Sequence, residues 1–204
     1  MLRLISAIFL LCFALDSLAF TEVSVEGSYS NKVFGSSRQN DQITKTYSGS
    51  IAFYLFSYTA IEFNYSESEE ETIERTELTT SEDSVIFKGY KTNVRNVVRG
   101  IGIRQAFAGR NARIRPLISL GYAKQKVRDS TQYTYELIST GQQIKLKSPT
   151  NEFEDDSVFG SLSIQFRLTK TMSLSTSIRT VFPAFDFDQA RDYQKYTIGL
   201  TWLL

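Results

Sequence analysis

Apolar and polar residues alternate with a period of two along most of this chain. Near the amino terminus Val23, Val25, Gly27 and Tyr29 share one face, while Glu22, Ser24, Glu26 and Ser28 share the other. Further on, Tyr47, Gly49, Ile51, Phe53 and Leu55 oppose Thr46, Ser48, Ser50, Ala52 and Tyr54. Ile61, Phe63 and Tyr65 oppose Glu62, Asn64 and Ser66, and the alternation returns over residues 114–123, 158–167, 172–179 and 196–204. Successive side chains of a strand point to opposite sides, so the pattern predicts strands with one apolar and one polar face. Residues 94–106 fit less neatly. Putting Val97, Ile101 and Ile103 on the apolar face puts Arg99 there too, opposite Gly100, Gly102 and Arg104. A lipid-facing arginine costs about 2–4 kcal/mol at mid-membrane and less near the interface. Either Arg99 lies near an interface or a bulge resets the parity. Pro116 falls just after an expected turn, where its missing donor is tolerated.

The connections alternate in length. Short ones fall near residues 56–59, 107–112 and 169–171, and long ones near 31–42, 67–84, 124–157 and 182–192. That rhythm predicts an all-β fold: an up-and-down antiparallel transmembrane β-barrel of about eight strands, with short periplasmic turns and long external loops. A soluble barrel or sandwich also alternates, but its water-facing side normally carries many Lys and Glu. Here the polar face is rich in Ser, Thr and Gly, which suit a narrow barrel interior. The apolar face ends in Tyr29, Tyr47, Tyr122, Tyr196 and Trp202, the residue types of interfacial girdles.

The first residues, MLRLISAIFLLCFALDSLA, combine Arg3, an apolar run over 4–14 and a small-x-small Ser17-Leu18-Ala19. The run is shorter than the roughly 20 residues of a spanning helix. It predicts a signal peptide over 1–19, cleaved after Ala19, with the barrel domain over 20–204. Cys12 is the single cysteine and leaves with the signal, so a disulfide, thiolate metal site or cysteine nucleophile is not expected. The formal net charge of +1 gives no reason to expect a nucleic-acid partner.

The carboxy-terminal strand carries the most specific local motif. Thr197, Gly199, Trp202 and Leu204 occupy the places of a polar residue, a glycine, an apolar or aromatic residue and a final apolar or aromatic residue. This resembles the terminal insertion signal of outer-membrane proteins, with Leu204 where Phe or Trp is usual. The chain as a whole resembles the small bacterial outer-membrane barrels of the OmpA-like, OmpX-like and OmpW-like superfamily. The resemblance implies a place in the outer membrane of a Gram-negative cell, contact with outer-membrane lipids and insertion by the barrel-assembly machinery.

Enzymes are known among such barrels, and as families they use a histidine general base. This sequence has no histidine, the side chain best suited to proton transfer near neutral pH. No catalytic residue, metal site or cofactor is expected, although an enzyme working without histidine remains the least favoured alternative. The polar faces instead suggest a charge network inside the barrel. Glu22, Glu26 and Glu62 are expected to meet Arg104, Arg113, Arg115 and Arg167, with Arg179 nearer the outer end. A narrow interior is just wide enough for side chains, and buried charges persist when paired. Such a network is expected to plug the lumen.

Residues 67–84 hold Glu67, Glu69, Glu70, Glu71, Glu74, Glu77, Glu82 and Asp83 against Arg75 alone, which reads as a solvated, self-repelling loop. Residues 132–138 and 143–147 around Thr140-Gly141 suggest a hairpin projecting above the membrane. Surface partners are therefore expected through 67–84 and 124–157. The functional expectation is a structural or surface-interaction role carried by external loops. The alternative is a narrow channel for small or hydrophobic solutes.

Overall fold

The alternating segments fold as antiparallel strands: β1 (Thr21–Phe34), β2 (Asn40–Tyr54), β3 (Thr59–Glu74), β4 (Leu78–Thr79), β5 (Val85–Ala106), β6 (Ile114–Leu137), β7 (Gln143–Lys147), β8 (Asn151–Arg167), β9 (Met172–Pro183) and β10 (Lys195–Leu203). The computed structural model describes residues 20–79, 85–183 and 194–204. The expected signal peptide lies outside them. Eight strands close a ring in the order β1, β2, β3, β5, β6, β8, β9, β10, and β10 pairs back onto β1. The two-residue β4 and the short β7 attach at one end only, to β5 and β6.

The faces point as the composition requires. Ile103 and Leu120 stand outward at 62% and 61% exposure, whereas Ser175 and Thr201 point inward at 1%. The apolar residues do not converge on a dry core. They form an exposed band around the ring, with Phe53, Phe107 and Phe166 toward the end of the short turns and Tyr29, Tyr47, Tyr65, Tyr122 and Tyr196 toward the other. Strand β5 keeps its parity from Tyr90 to Ala106, its one register shift lying between Phe87 and Gly89. Arg99 therefore does face outward, opposite Tyr65 on β3 and Lys124 on β6.

The long connections are shorter than expected, and this corrects the reading of 67–84 and 124–157 as loops. Residues 67–74 complete β3, and most of 124–157 belongs to β6, β7 and β8. The acidic run looks self-repelling only in isolation. In the sheet Glu69 lies opposite Lys45 and Arg95, Arg95 bonds Glu67 at 2.5 Å, and Lys91 bonds Glu71 at 2.7 Å. Opposite charges on neighbouring strands stabilise the pairing that the run alone opposes. On the inner face Thr92 and Thr131 hydroxyls meet at 3.1 Å. The hairpin around Thr140-Gly141 forms in register Gln132↔Lys147 to Glu136↔Gln143, with Gly141 at φ +67°.

Candidate functional site

The chemistry-bearing residues sit inside the barrel near the end of the short turns. Ala52, Tyr54, Ala60, Ala106 and Leu117 form a small apolar floor there, with the Phe20 ring stacked on Tyr54 at 4.1 Å. Directly on it lies a charged layer. The Arg104 guanidinium donates from Nη1 to Glu22 (2.6 Å), from Nη2 to Glu62 (2.8 Å) and Ser50 (2.9 Å), and from Nε to Glu62 (3.1 Å). Arg115 Nη1 donates to the second Glu22 oxygen at 2.6 Å, Gln165 Nε2 to the first at 2.6 Å, and the Tyr54 hydroxyl to the second at 3.3 Å. The Arg115 guanidinium also lies over the Tyr54 ring, 4.8 Å from its centre.

These contacts join β1, β2, β3, β5, β6 and β8 through side chains alone. Glu22 and Glu62 are 0% exposed. Each carboxylate is met by guanidinium donors, the arrangement that allows a buried charge to persist.

The other expected members behave differently. Arg113 is exposed in the turn between β5 and β6 and takes no part in the layer. It shares the parity of Arg115, but the strand begins at Ile114, one residue too late to hold Arg113 inside. Arg167, at the end of β8, is half-buried and makes no ion pair among the described residues. Arg179 does point inward and is buried, yet its Nε and Nη1 have no hydrogen-bond partner among the described residues. Glu26 is held by hydroxyls instead of arginine: Thr197 at 2.6 Å, Ser177 at 2.7 Å and Ser175 at 3.1 Å.

Four contributors were not singled out from sequence: Ser50, Tyr54, Gln165 and Phe159. Gln165 was visible as the one long amide among small residues on the polar face of β8. Phe159 was visible as a large ring on that same face. It lies above the charged layer against Val98, Ala123 and Val181. Its ring fills the space over Gly100, Gly102 and Gly121, where added β-carbons would meet it. Beyond Phe159 the lumen widens into a vestibule of about 920 Å³, lined by Ser30, Gln42, Glu70, Asn96, Gln125 and Lys195 among others.

The terminal motif sits on the β1–β10 seam. Thr197 points inward onto Glu26, and Gly199 lies opposite Glu26. A β-carbon at Gly199 would come within 2.6 Å of the Glu26 Cα, so glycine allows the two strands to close. Trp202 faces outward between Val23 and Met172, and Leu204 exchanges backbone hydrogen bonds with Thr21.

No protein-family model matches the chain, and no curated protein matches it in sequence. Solved structures do match in shape. The N-terminal β-barrel domain of OprF from Pseudomonas aeruginosa is 10% identical, with 92% of this chain and 98% of that one covered at a TM-score of 0.51. The outer-membrane protein OprG of the same organism is 10% identical, with 91% and 95% covered at a TM-score of 0.50. The chain has the fold of the small outer-membrane β-barrels. This barrel shares with them a closed eight-strand antiparallel ring. At such low identity the likeness concerns the fold alone.

Proposed function

We propose that this barrel resides in a bacterial outer membrane, with its short turns in the periplasm, and serves as a closed structural platform for surface interaction. The membrane placement rests on the exposed apolar band and its two aromatic borders, because so continuous an apolar surface needs lipid around it. The single observation that carries the closed state is the Glu22–Arg104–Glu62 cluster with Arg115 and Gln165. It fills the section of lumen below Phe159 with hydrogen-bonded side chains. A narrow solute passage would need an unobstructed interior, and both layers stand in its way.

The surface role is assigned to the strands that project beyond the tyrosine border. Outer portions of β5 and β6, flanked by β4 and β7, form a small sheet whose inward-parity face carries Phe87, Tyr90, Tyr133 and Tyr135 in mutual contact. Planar-bilayer recording tests the closed state: the purified protein is expected to show no stable porin-sized conductance. A steady open channel would overturn it. Deleting 132–147 and measuring attachment of expressing cells to host surfaces tests the platform role, with loss of attachment expected.

A further inference from the structure

The cations on the outer surface are unevenly placed. Strands β5 and β6 set Arg99 directly opposite Lys124 and Arg95 directly opposite Arg128, with Lys126 between them. Like charges directly opposite on adjacent strands destabilise a sheet. Arg99 and Lys124 lie in the first row beyond the apolar band, beside Tyr65 and just past Ile101 and Tyr122. Elsewhere at the border the ring carries Tyr29, Tyr47 and Tyr196.

Neighbouring acids only partly offset this concentration. Arg95 pairs with Glu67, and Lys124 reaches Glu154 at a loose 3.7 Å. Lys126 and Arg128 share the single carboxylate of Glu152. Arg99 has no ion pair among the described residues. Exposed pairs of this kind are weak and exchange readily for a better anion. Together with Tyr65, the five cations line an open cleft of about 470 Å³ into which Glu154 also projects.

We propose that this cleft binds the phosphorylated headgroup of a membrane lipid. Arg99 and Lys124 take a phosphate at the membrane surface. Arg95 and Arg128, about 14 Å further along the strands, take a second anionic group. The inference rests on the membrane placement proposed above, because a lipid headgroup is what surrounds a spanning barrel at this level. Guanidinium and phosphate form paired, charge-assisted hydrogen bonds, so a phosphate between opposed cations turns a repulsive register into an attractive one.

The test uses the whole barrel in nanodiscs of phosphatidylcholine alone. Parallel discs are doped with a bisphosphorylated acylated disaccharide (lipid A) or with its dephosphorylated form. Lipid retained through detergent extraction is read by native mass spectrometry, and thermal unfolding is followed alongside. The wild type is expected to retain the phosphorylated lipid about tenfold over the dephosphorylated one. The Arg99→Gln, Lys124→Gln double variant is expected to lose that preference while unfolding no earlier than wild type in pure phosphatidylcholine. An unchanged preference in the double variant overturns the site. So does inorganic pyrophosphate that stabilises the wild type as much as the lipid does. Insertion into discs without phosphate selectivity overturns this site alone, whereas failure to insert into any disc overturns the membrane placement as well.

Discussion

Glu22 and Arg104 stand 82 positions apart in sequence and meet at 2.6 Å inside the barrel. Glu22 also receives Arg115, Gln165 and Tyr54, so it is the acceptor on which the charged layer converges. Removing it leaves two buried guanidinium groups short of an anion.

Glu22→Ala is therefore expected to destabilise the barrel by about 3–5 kcal/mol, the range for an uncompensated buried charge. Urea unfolding in phospholipid vesicles, followed by Trp202 fluorescence, measures the loss. The same variant is expected to raise single-channel conductance in planar bilayers, and unchanged conductance would place the closure elsewhere.

Phe159→Ala separates the two interior layers. Truncating a buried Phe costs about 3–5 kcal/mol, so the variant is expected to unfold at lower urea. Its conductance is expected to stay low because the charged layer beneath is intact. A wide channel in Phe159→Ala would instead make the ring the barrier.

The glycines beneath Phe159 are expected to differ. A β-carbon at Gly100 meets only side chains, Phe159 and Asn64, at 3.0 Å, so Gly100→Ala is expected to be mild and rescued by Phe159→Leu. At Gly121 the added carbon collides with the Ile101 carbonyl oxygen and lies too close to the Gly102 backbone. Gly121→Ala is expected to impair folding with or without a smaller residue at 159. Heat-modified mobility on gels distinguishes folded from unfolded barrel in each case.

The outer strands carry a pH dependence. Hydrogen bonds from Lys126 first and Arg128 next hold the Glu152 carboxyl, outside the membrane-spanning part, below its ordinary range. A lowered folded-state value means the contribution is present above the unfolded value of about 4.3 and disappears as pH falls through the folded one. Protease cleavage within 143–156 is expected to accelerate below that window and not between pH 6 and 8. Glu152→Gln is expected to cleave quickly at both.

The ring was legible because its alternation is carried by unlike residue types: Ser173 and Ser175 against Leu174, Thr197 and Thr201 against Ile198 and Leu200. The strand extensions were not. Glu67, Glu69 and Glu71 alternate with Ser68 and Glu70, so neither face is apolar and only the cations on β2 and β5 make them a strand. Inside the barrel, parity correctly put Glu22, Glu62, Arg104 and Arg115 on the lumen side. It gave no height along the barrel, which is what separates Arg115 from Arg113 and Glu26 from the arginines.

That distinction is itself measurable. Arg113→Ala is expected to change stability by less than about 0.5 kcal/mol, as an exposed substitution should. Arg115→Ala is expected to match the loss seen for Glu22→Ala, and the contrast is read in one urea series.

The seam between β1 and β10 brings Thr21 and Leu204 into mutual backbone hydrogen bonds. The first strand of the ring therefore waits for its last, and until β10 is in place β1 keeps one sticky edge unpaired. Long-range closure of this kind is slow. Escort in an unfolded state until β10 has been made is thus a demand of the topology itself, set before any question of what the loops touch.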